Sequence, residues 1–342
     1  FTSGTTGEPK GVCLSVNNIF SNIQAIIEAI DVAATDNVLS LLPLHHCYGL
    51  TVSVLAPLIT GSTVTFCQSL RGPDILAAMN EAAVSVLPGV PRLFEAFDHR
   101  LSERIAQCPR WQRILFRIMT RLSHVVRRYT GRNIGALLFP SIHRTFGPNF
   151  RCFASGGAKL DCAIAERFLD LGLPLLEGYG LTETSPVISF NWMDSIRPGS
   201  VGPPLPGVDV QIDKPNREGV GEVLVRGPNI MQGYDRRPDE TAAMIHDGWL
   251  HTGDLGYLDR DNYLYLTGRA KDVIVLASGE NIYPEDVERQ YERSPLVSDI
   301  CIMPVETADG RVERLRAVVV PDLDEIARRK AANVTDAVRL EL

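Results

Sequence analysis

The chain has 342 residues, 45% of them hydrophobic and 22% charged, enough to bury one large core and a second, smaller one. Its formal net charge of −7 argues against a general nucleic-acid binder, which relies on a basic surface. The seven cysteines (Cys13, Cys47, Cys67, Cys108, Cys152, Cys162, Cys301) are odd in number and lack any CxxC spacing, a pattern of buried thiols in a reducing cytosol and not of a disulfide framework or zinc site.

No signal-peptide pattern opens the chain. The uncharged stretch 37–70 is broken by Pro43, Gly49, Pro57 and Gly61 and contains His45 and His46, so it reads as buried strands and helices, not as a membrane span. The expected location is cytoplasmic.

Taken in order, Asn17 to Ile30 reads as a helix, with Ile19, Ile23, Ile26, Ile27 and Ile30 at helical spacing. Apolar runs at Val38–Leu44, Thr63–Cys67 and Val84–Leu87 follow, with helical patterns between them. Strands alternating with helices indicate an α/β core with a largely parallel sheet. From 98 to 144 the composition changes. Ten arginines fall between Arg100 and Arg144 against one acid, Glu103. Trp111, Leu115, Ile118, Leu122 and Val125 form one helical stripe with Arg110, Arg113, Arg117 and Arg121 beside it, so the segment is expected to be a basic amphipathic helix.

Beyond Ser195 the chain turns Gly/Pro-rich, and short runs at Val208–Ile212, Gly221–Val225 and Tyr263–Leu266 predict a β-rich subdomain over 196–267. A further unit follows, with a strand at Val273–Leu276, a helix at Tyr283–Tyr291, a strand at Ala317–Val320 and a polar, helix-like tail.

The first chemical constellation is Thr2-Ser3-Gly4-Thr5-Thr6-Gly7-Glu8-Pro9-Lys10-Gly11. Its hydroxyls, glycine amides and single lysine suit a polyphosphate, but the GxxxxGK[ST] spacing of a Walker A loop is absent. This run resembles the phosphate-binding loop of the adenylate-forming superfamily, which includes acyl-CoA synthetases, firefly-type luciferases and peptide-synthetase adenylation domains. Four more matches occur in the family's order. Ser155-Gly156-Gly157-Ala158 is similar to its adenine-contacting turn, and Tyr179-Gly180-Leu181-Thr182-Glu183-Thr184 to its core motif. Thr252-Gly253-Asp254 is similar to its ribose-binding motif, and Gly268-Arg269-Ala270-Lys271-Asp272 to its hinge.

The resemblance implies a fold and a set of roles. The fold is an α/β core of mixed and parallel sheets with helices and a β-rich subdomain over 1–267. A hinge at 268–271 and a small, mobile α+β C-terminal domain over 272–342 complete it. Tyr179 is expected to stack on the adenine, Thr182 to donate to the α-phosphate and Glu183 to hold Mg²⁺. Asp254 is expected on the ribose hydroxyls and Arg269 on ribose or phosphate. His46, Tyr48 and Gly178 fall to the acyl pocket, although a lone histidine such as His46 also fits a core position. Lys271 matches the hinge. Gly279 is expected to pass the pantetheine arm of coenzyme A, or else to make a tight turn.

The implied reaction has two steps: a carboxylate and ATP give acyl-AMP and pyrophosphate, and CoA then displaces AMP. The apolar run from Leu50 to Leu58 and the 98–144 insert point to a fatty acid of the long-chain type. The basic helix further suggests peripheral contact with anionic lipid at the inner face of a membrane, against the plainer reading of a solvated arginine face. Two departures stand out. The strand expected to deliver the phosphate loop, and the residues before it, are missing ahead of Phe1. The family's glycine-preceded C-terminal lysine is also unmatched, since Arg329-Lys330-Ala331 does not fit it. The expectation is therefore a piece of a longer ligase that adenylates poorly alone. A fatty-acyl-AMP ligase loading a carrier protein and an inert nucleotide-binding module remain as rivals, and nothing sets the oligomeric state.

Overall fold

The computed structural model describes residues 1–3, 9–277, 281–292, 294, 296–307, 312–323 and 326. The main sheet has six strands in the order Thr63–Phe66, Asn37–Ser40, Val86–Gly89, Cys152–Ser155, Leu175–Gly180, Val187–Phe190. The first five pair in parallel and the last is antiparallel. The expected α/β core is thus present, and its strands, apart from the more exposed edge strand Thr63–Phe66, are short, apolar and largely buried.

Alternation along each strand decides which face a side chain serves. Leu39, Leu87, Phe153 and Leu175 all point to one face and are fully buried. There they meet Ile75 and Met79 of helix Gly72–Glu81, Phe94 and Phe97 of Pro91–Gln107, Phe146 of Pro140–Phe146 and Phe168 of Cys162–Asp170. The helix Val16–Ile30 stands outside this cluster and touches Val187–Phe190 and the helical run 47–60 instead. Ser15 starts that helix by a reciprocal cap: its Oγ accepts the Asn18 N–H while Asn18 Oδ1 accepts the Ser15 N–H. Asp31 ends it in the left-handed region, at φ 54°. The predicted strand at Val38–Leu44 stops at Ser40, ahead of Pro43.

The 98–144 segment departs from expectation. It is not one helix but the end of Pro91–Gln107, the long helix Arg110–Thr130, and the short helices Gly135–Leu138 and Pro140–Phe146. Pro109 makes the break. A residue preceding proline is driven out of the helical region, and Cys108 sits at φ −72°, ψ 154°. Gly131, at φ 70°, closes the long helix.

The chain divides into two compact units, 1–211 with 224–252 and 258–265, and 212–223 with 253–257 and 266–342. The β-rich part forms a five-stranded sheet: Asp209–Asp213, Gly221–Arg226, Trp249–Leu258, Ile245–His246, with Leu264–Arg269 also on Trp249–Leu258. In the second unit, Val297–Glu306 and Val312–Pro321 make a long antiparallel ribbon. Sequence reading found only part of the latter strand and missed the former, where polar residues and Pro304 obscure the alternation. The ribbon packs Ile300 and Ile302 with Ile274 and Val297 beside helix Pro284–Glu292. All seven cysteines are free, and burial pushes the Cys152 thiol up to about 12, so it serves as a core residue. No helix among the described residues is long and apolar enough to cross a membrane.

One buried acid ties the strand entrances together. Asp36, 3% exposed, accepts from the Ala33 N–H at 2.9 Å and the Ser85 hydroxyl at 2.7 Å and pairs with Arg151. Burial pushes its pKa up, but these donors outweigh burial and leave the carboxyl below its usual value. A depressed carboxyl stabilises the fold above its unfolded pKa, and that contribution is lost as pH falls through the folded value. Asp36→Asn is expected to cost about 2 kcal/mol near neutral pH. Urea midpoints measured down the acid limb should fall less steeply in the variant than in the parent chain, and identical slopes would remove Asp36 from this role.

Candidate active site

In the first unit, the matching loops hang from the C-terminal ends of the parallel strands, where α/β sheets open a crevice. The strand Cys152–Ser155 runs into Gly156-Gly157-Ala158, and Leu175–Gly180 runs into the turn Thr182–Thr184. Gly156 is buried, whereas Gly157 and Ala158 are exposed, with Gly157 at φ 86°. The helical run after Pro43 lays the ring of Tyr48 on Gly156: a Cβ there would stand 3.1 Å from the ring, and the Tyr48 hydroxyl donates to the Ala154 carbonyl at 3.1 Å. Burial pushes the Tyr48 phenol up, so it stays a neutral donor. His46 lies exposed at the N-cap of the same run, its ring 4.3 Å from that of His45. The run continues through a π-helical turn, Thr51–Leu55, in which Val52 is buried, while Leu50 and Leu58 on either side face solvent.

Tyr179 is 9% exposed and pairs with Ser189 across the antiparallel edge. Two glycines permit that edge to close. A Cβ on Gly178 would stand 2.3 Å from the Phe190 ring, and one on Gly180 would stand 1.8 Å from the Pro186 carbonyl oxygen. The Thr182–Thr184 turn follows and is fastened from a distant segment. Asn229 donates to the Thr184 carbonyl at 3.0 Å, Ser185 Oγ donates to the Asn229 carbonyl at 2.8 Å, and the Met231 N–H donates to the Glu183 carbonyl at 2.9 Å. Glu183 is 7% exposed, and its Oε1 accepts from the Tyr234 hydroxyl at 2.8 Å. Burial first, and then this carboxylate, push the Tyr234 phenol up and keep its proton in place.

Thr2 and Ser3 pair antiparallel with Lys10 and Pro9, so the two ends of this motif are bonded to each other. Gly4, Thr5, Thr6 and Gly7 lie outside the described residues, as does Gly279. Lys10 sits 5.0 Å above the Tyr234 ring centroid and pairs with Glu240, whose other oxygen accepts from Arg237 at 2.7 Å. Arg237 and then Lys10 hold the Glu240 carboxyl below its usual value. Tyr234, Glu240 and Asn229 were not found from sequence. Tyr234 is 51 residues from Glu183 along the chain, beyond any local periodicity.

The second unit, taken by itself, joins two of the predicted residues. Asp254, 7% exposed, faces Arg269, whose Nε is 3.2 Å from its Oδ1. The Ala270 N–H donates to the Gly253 carbonyl at 2.9 Å, and the Gly253 N–H donates to Glu222 at 3.0 Å, so the 252–254 and 268–272 motifs are bonded to each other. Lys271 is exposed in the adjoining turn.

The chain is 32% identical over 329 residues to feruloyl-CoA synthase of Amycolatopsis sp, covering 94% of this chain and 58% of that protein. It is 34% identical over 317 residues to the long-chain-fatty-acid–CoA ligase ACSBG2 of Rattus norvegicus, covering 87% of this chain and 47% of that one. The chain thus spans about half the length of these curated relatives. Among solved structures, the o-succinylbenzoate CoA synthetase (MenE) of Bacillus subtilis, in complex with its acyl-adenylate intermediate, superposes with a TM-score of 0.73 at 28% identity. That match covers 97% of this chain and 62% of MenE. The model of the AMP-binding enzyme family matches residues 1–235, and the chain belongs to that family.

Proposed function

We propose that the protein activates a fatty carboxylic acid with ATP, releasing pyrophosphate, and passes the acyl group from acyl-AMP to coenzyme A. One observation carries the nucleotide half of this reading. Tyr234 bears Glu183 on its hydroxyl and Lys10 over its ring, so the carboxylate and the cation expected at one polyphosphate are held by one side chain.

In this reading Thr2, Ser3, Gly4, Thr5, Thr6, Gly7 and Lys10 take the β- and γ-phosphates, Thr182 donates to the α-phosphate, and Gly156, Gly157, Ala158, Tyr179 and Gly180 accommodate the adenosine. Asp254 accepts from the ribose hydroxyls and Arg269 adds a fixed positive charge. The substrate carboxylate oxygen attacks the α-phosphorus and the phosphorus–oxygen bond to pyrophosphate breaks. The CoA thiolate then attacks the acyl carbonyl and AMP leaves. No protein nucleophile is needed, so the side chains act by alignment and charge.

Among the described residues no group of three or more His, Cys, Asp or Glu side chains converges, and Glu183 is a single buried carboxylate at the turn. That donor set fits a cation that fills its shell with phosphate and water oxygens, as Mg²⁺ does, and not a cage built wholly from protein. Bound there, Mg²⁺ would neutralise charge developing on the phosphates.

The fatty-acid part rests on the apolar run after Leu50 and on relatives named as long-chain ligases. The similarity to feruloyl-CoA synthase supports a second reading, an aromatic acid. Calorimetry with palmitoyl- and feruloyl-adenylate analogues separates the two, and tighter binding of the feruloyl form would reverse the assignment. Supplying CoA then tests the acceptor: an acyl-AMP that persists beside CoA and is consumed by acyl carrier protein would point to a carrier-loading ligase.

Two substitutions test the roles. Glu183→Gln is expected to lower acid-dependent pyrophosphate exchange by about a hundredfold, in the range of a lost charge-stabilising group. Tyr234→Phe leaves Glu183 one donor short and is expected to raise the KM for Mg–ATP by about tenfold with a smaller change in kcat. A Tyr234→Phe protein with unchanged Mg²⁺ dependence would show that the hydroxyl serves only the fold.

A further inference from the structure

The helix Arg110–Thr130 has three faces. At about 100° per residue, its side chains sort into three stripes roughly a third of a turn apart. Phe116 and Met119 face inward and pack on the core cluster, with Ser123 fully buried between helices. Arg127 is on this side too, clamped to the buried Asp170 at 2.8 Å, with His124 3.2 Å from the same carboxylate. Trp111, Ile114, Leu115, Ile118, Leu122, Val125 and Tyr129 make a second stripe that is 47–81% exposed. Arg110, Arg113, Arg117, Arg121 and Arg128 make the third, and all five are exposed.

Seven large apolar side chains in one exposed row exceed the scattered exposure of an ordinary surface. The anchoring of Arg127 fixes the rotation of the helix, so this row cannot turn inward. Its occupant has to bury an apolar strip and meet an arginine row beside it. An anionic bilayer does both: the apolar stripe enters the acyl boundary while the arginines lie among the headgroup phosphates. A second copy docked through the same stripe would cover the apolar row but leave the arginine row without an anionic partner. A nucleic acid would satisfy the arginines but not Ile114, Ile118 and Leu122. A polar ligand of any kind leaves the apolar row in water.

We infer that the Arg110–Thr130 helix is a membrane-docking surface that lies flat on anionic lipid, with Trp111, Ile118 and Leu122 inserted and Arg113, Arg117 and Arg121 on the headgroups. The attachment is peripheral, and it stands whether or not the acyl substrate is a fatty acid. Its test is therefore independent of turnover.

The protein is sedimented with vesicles of phosphatidylcholine alone and with vesicles carrying about one third phosphatidylglycerol. Binding is expected to the anionic vesicles and to be at least about tenfold weaker on the neutral ones. The triple variant Arg113→Glu, Arg117→Glu, Arg121→Glu should weaken anionic binding by about a hundredfold. The pair Ile118→Ser, Leu122→Ser should weaken it by about tenfold while removing no charge. All five positions are solvent-exposed, so the variants are expected to melt with the parent chain. A blue shift in emission on anionic vesicles, lost in Trp111→Phe, would confirm insertion. The inference is overturned by binding indifferent to lipid charge, or by a charge-reversed variant that binds as before. It is equally overturned by a dimer that Ile118→Ser, Leu122→Ser converts to monomer in a protein that ignores vesicles.

Discussion

The packing around Phe153 is the constraint from which the first unit is built. This fully buried ring on a central strand lies within 4.5–6.2 Å of the rings of Phe94, Phe97, Phe146, Phe150 and Phe168. Three helices and the loop before the strand are thereby referred to a single point on the sheet. Aromatic cores of this kind tolerate little displacement, because the rings interlock at tilted and edge-to-face angles, the contacts with Phe146 and Phe168 being edge to face. The loops at the strand ends inherit that rigidity. Gly156 and Gly157 begin immediately after Ser155, two residues from Phe153 itself.

Rigid strand ends are not sufficient to place a buried carboxylate such as Glu183. The Thr182–Thr184 turn leaves the sheet and would be free to move were it not bonded to Asn229 and Met231, with Tyr234 on the Glu183 side chain. This second tier comes from the stretch between two strands of the β-rich region. The chain there has no catalytic side chain of its own in the proposed reaction. It acts by fixing where the acid points, which is how a preorganised site avoids reorganisation when charge develops.

What sequence revealed and what it hid divide along physical lines. The motifs that carry Lys10, Glu183 and Asp254 were legible because each is a short, continuous run, and their polyphosphate, metal and ribose roles belong to the proposed reaction. The α/β sheet was legible for a similar reason: period-two and run-like apolar patterns are local. The partners Tyr234, Glu240 and Asn229 were not, since each meets its counterpart only after the chain has folded back across tens of residues or more. The 110–130 stretch failed differently. Its apolar and basic stripes were visible, yet a helix pattern cannot say which stripe meets the core. Here the core took Phe116 and Met119 and left the longer apolar row outside. Cys108-Pro109 also cut in two what charge composition alone had merged.

The ion pair between Lys10 and Glu240 alters the thermodynamics of any anion arriving at that lysine. Lys10 is not a free cation awaiting a guest; it already has a partner, and Glu240 is in turn held by Arg237. A phosphate oxygen that engages Lys10 exchanges with a carboxylate, so the free energy gained is a difference between two similar attractions and not the whole of one. The same competitor is present when the anion departs, because Glu240 needs only a side-chain rotation to reclaim the lysine. In the proposed reaction, a site so arranged would give up tightness in exchange for ready release of the polyanion.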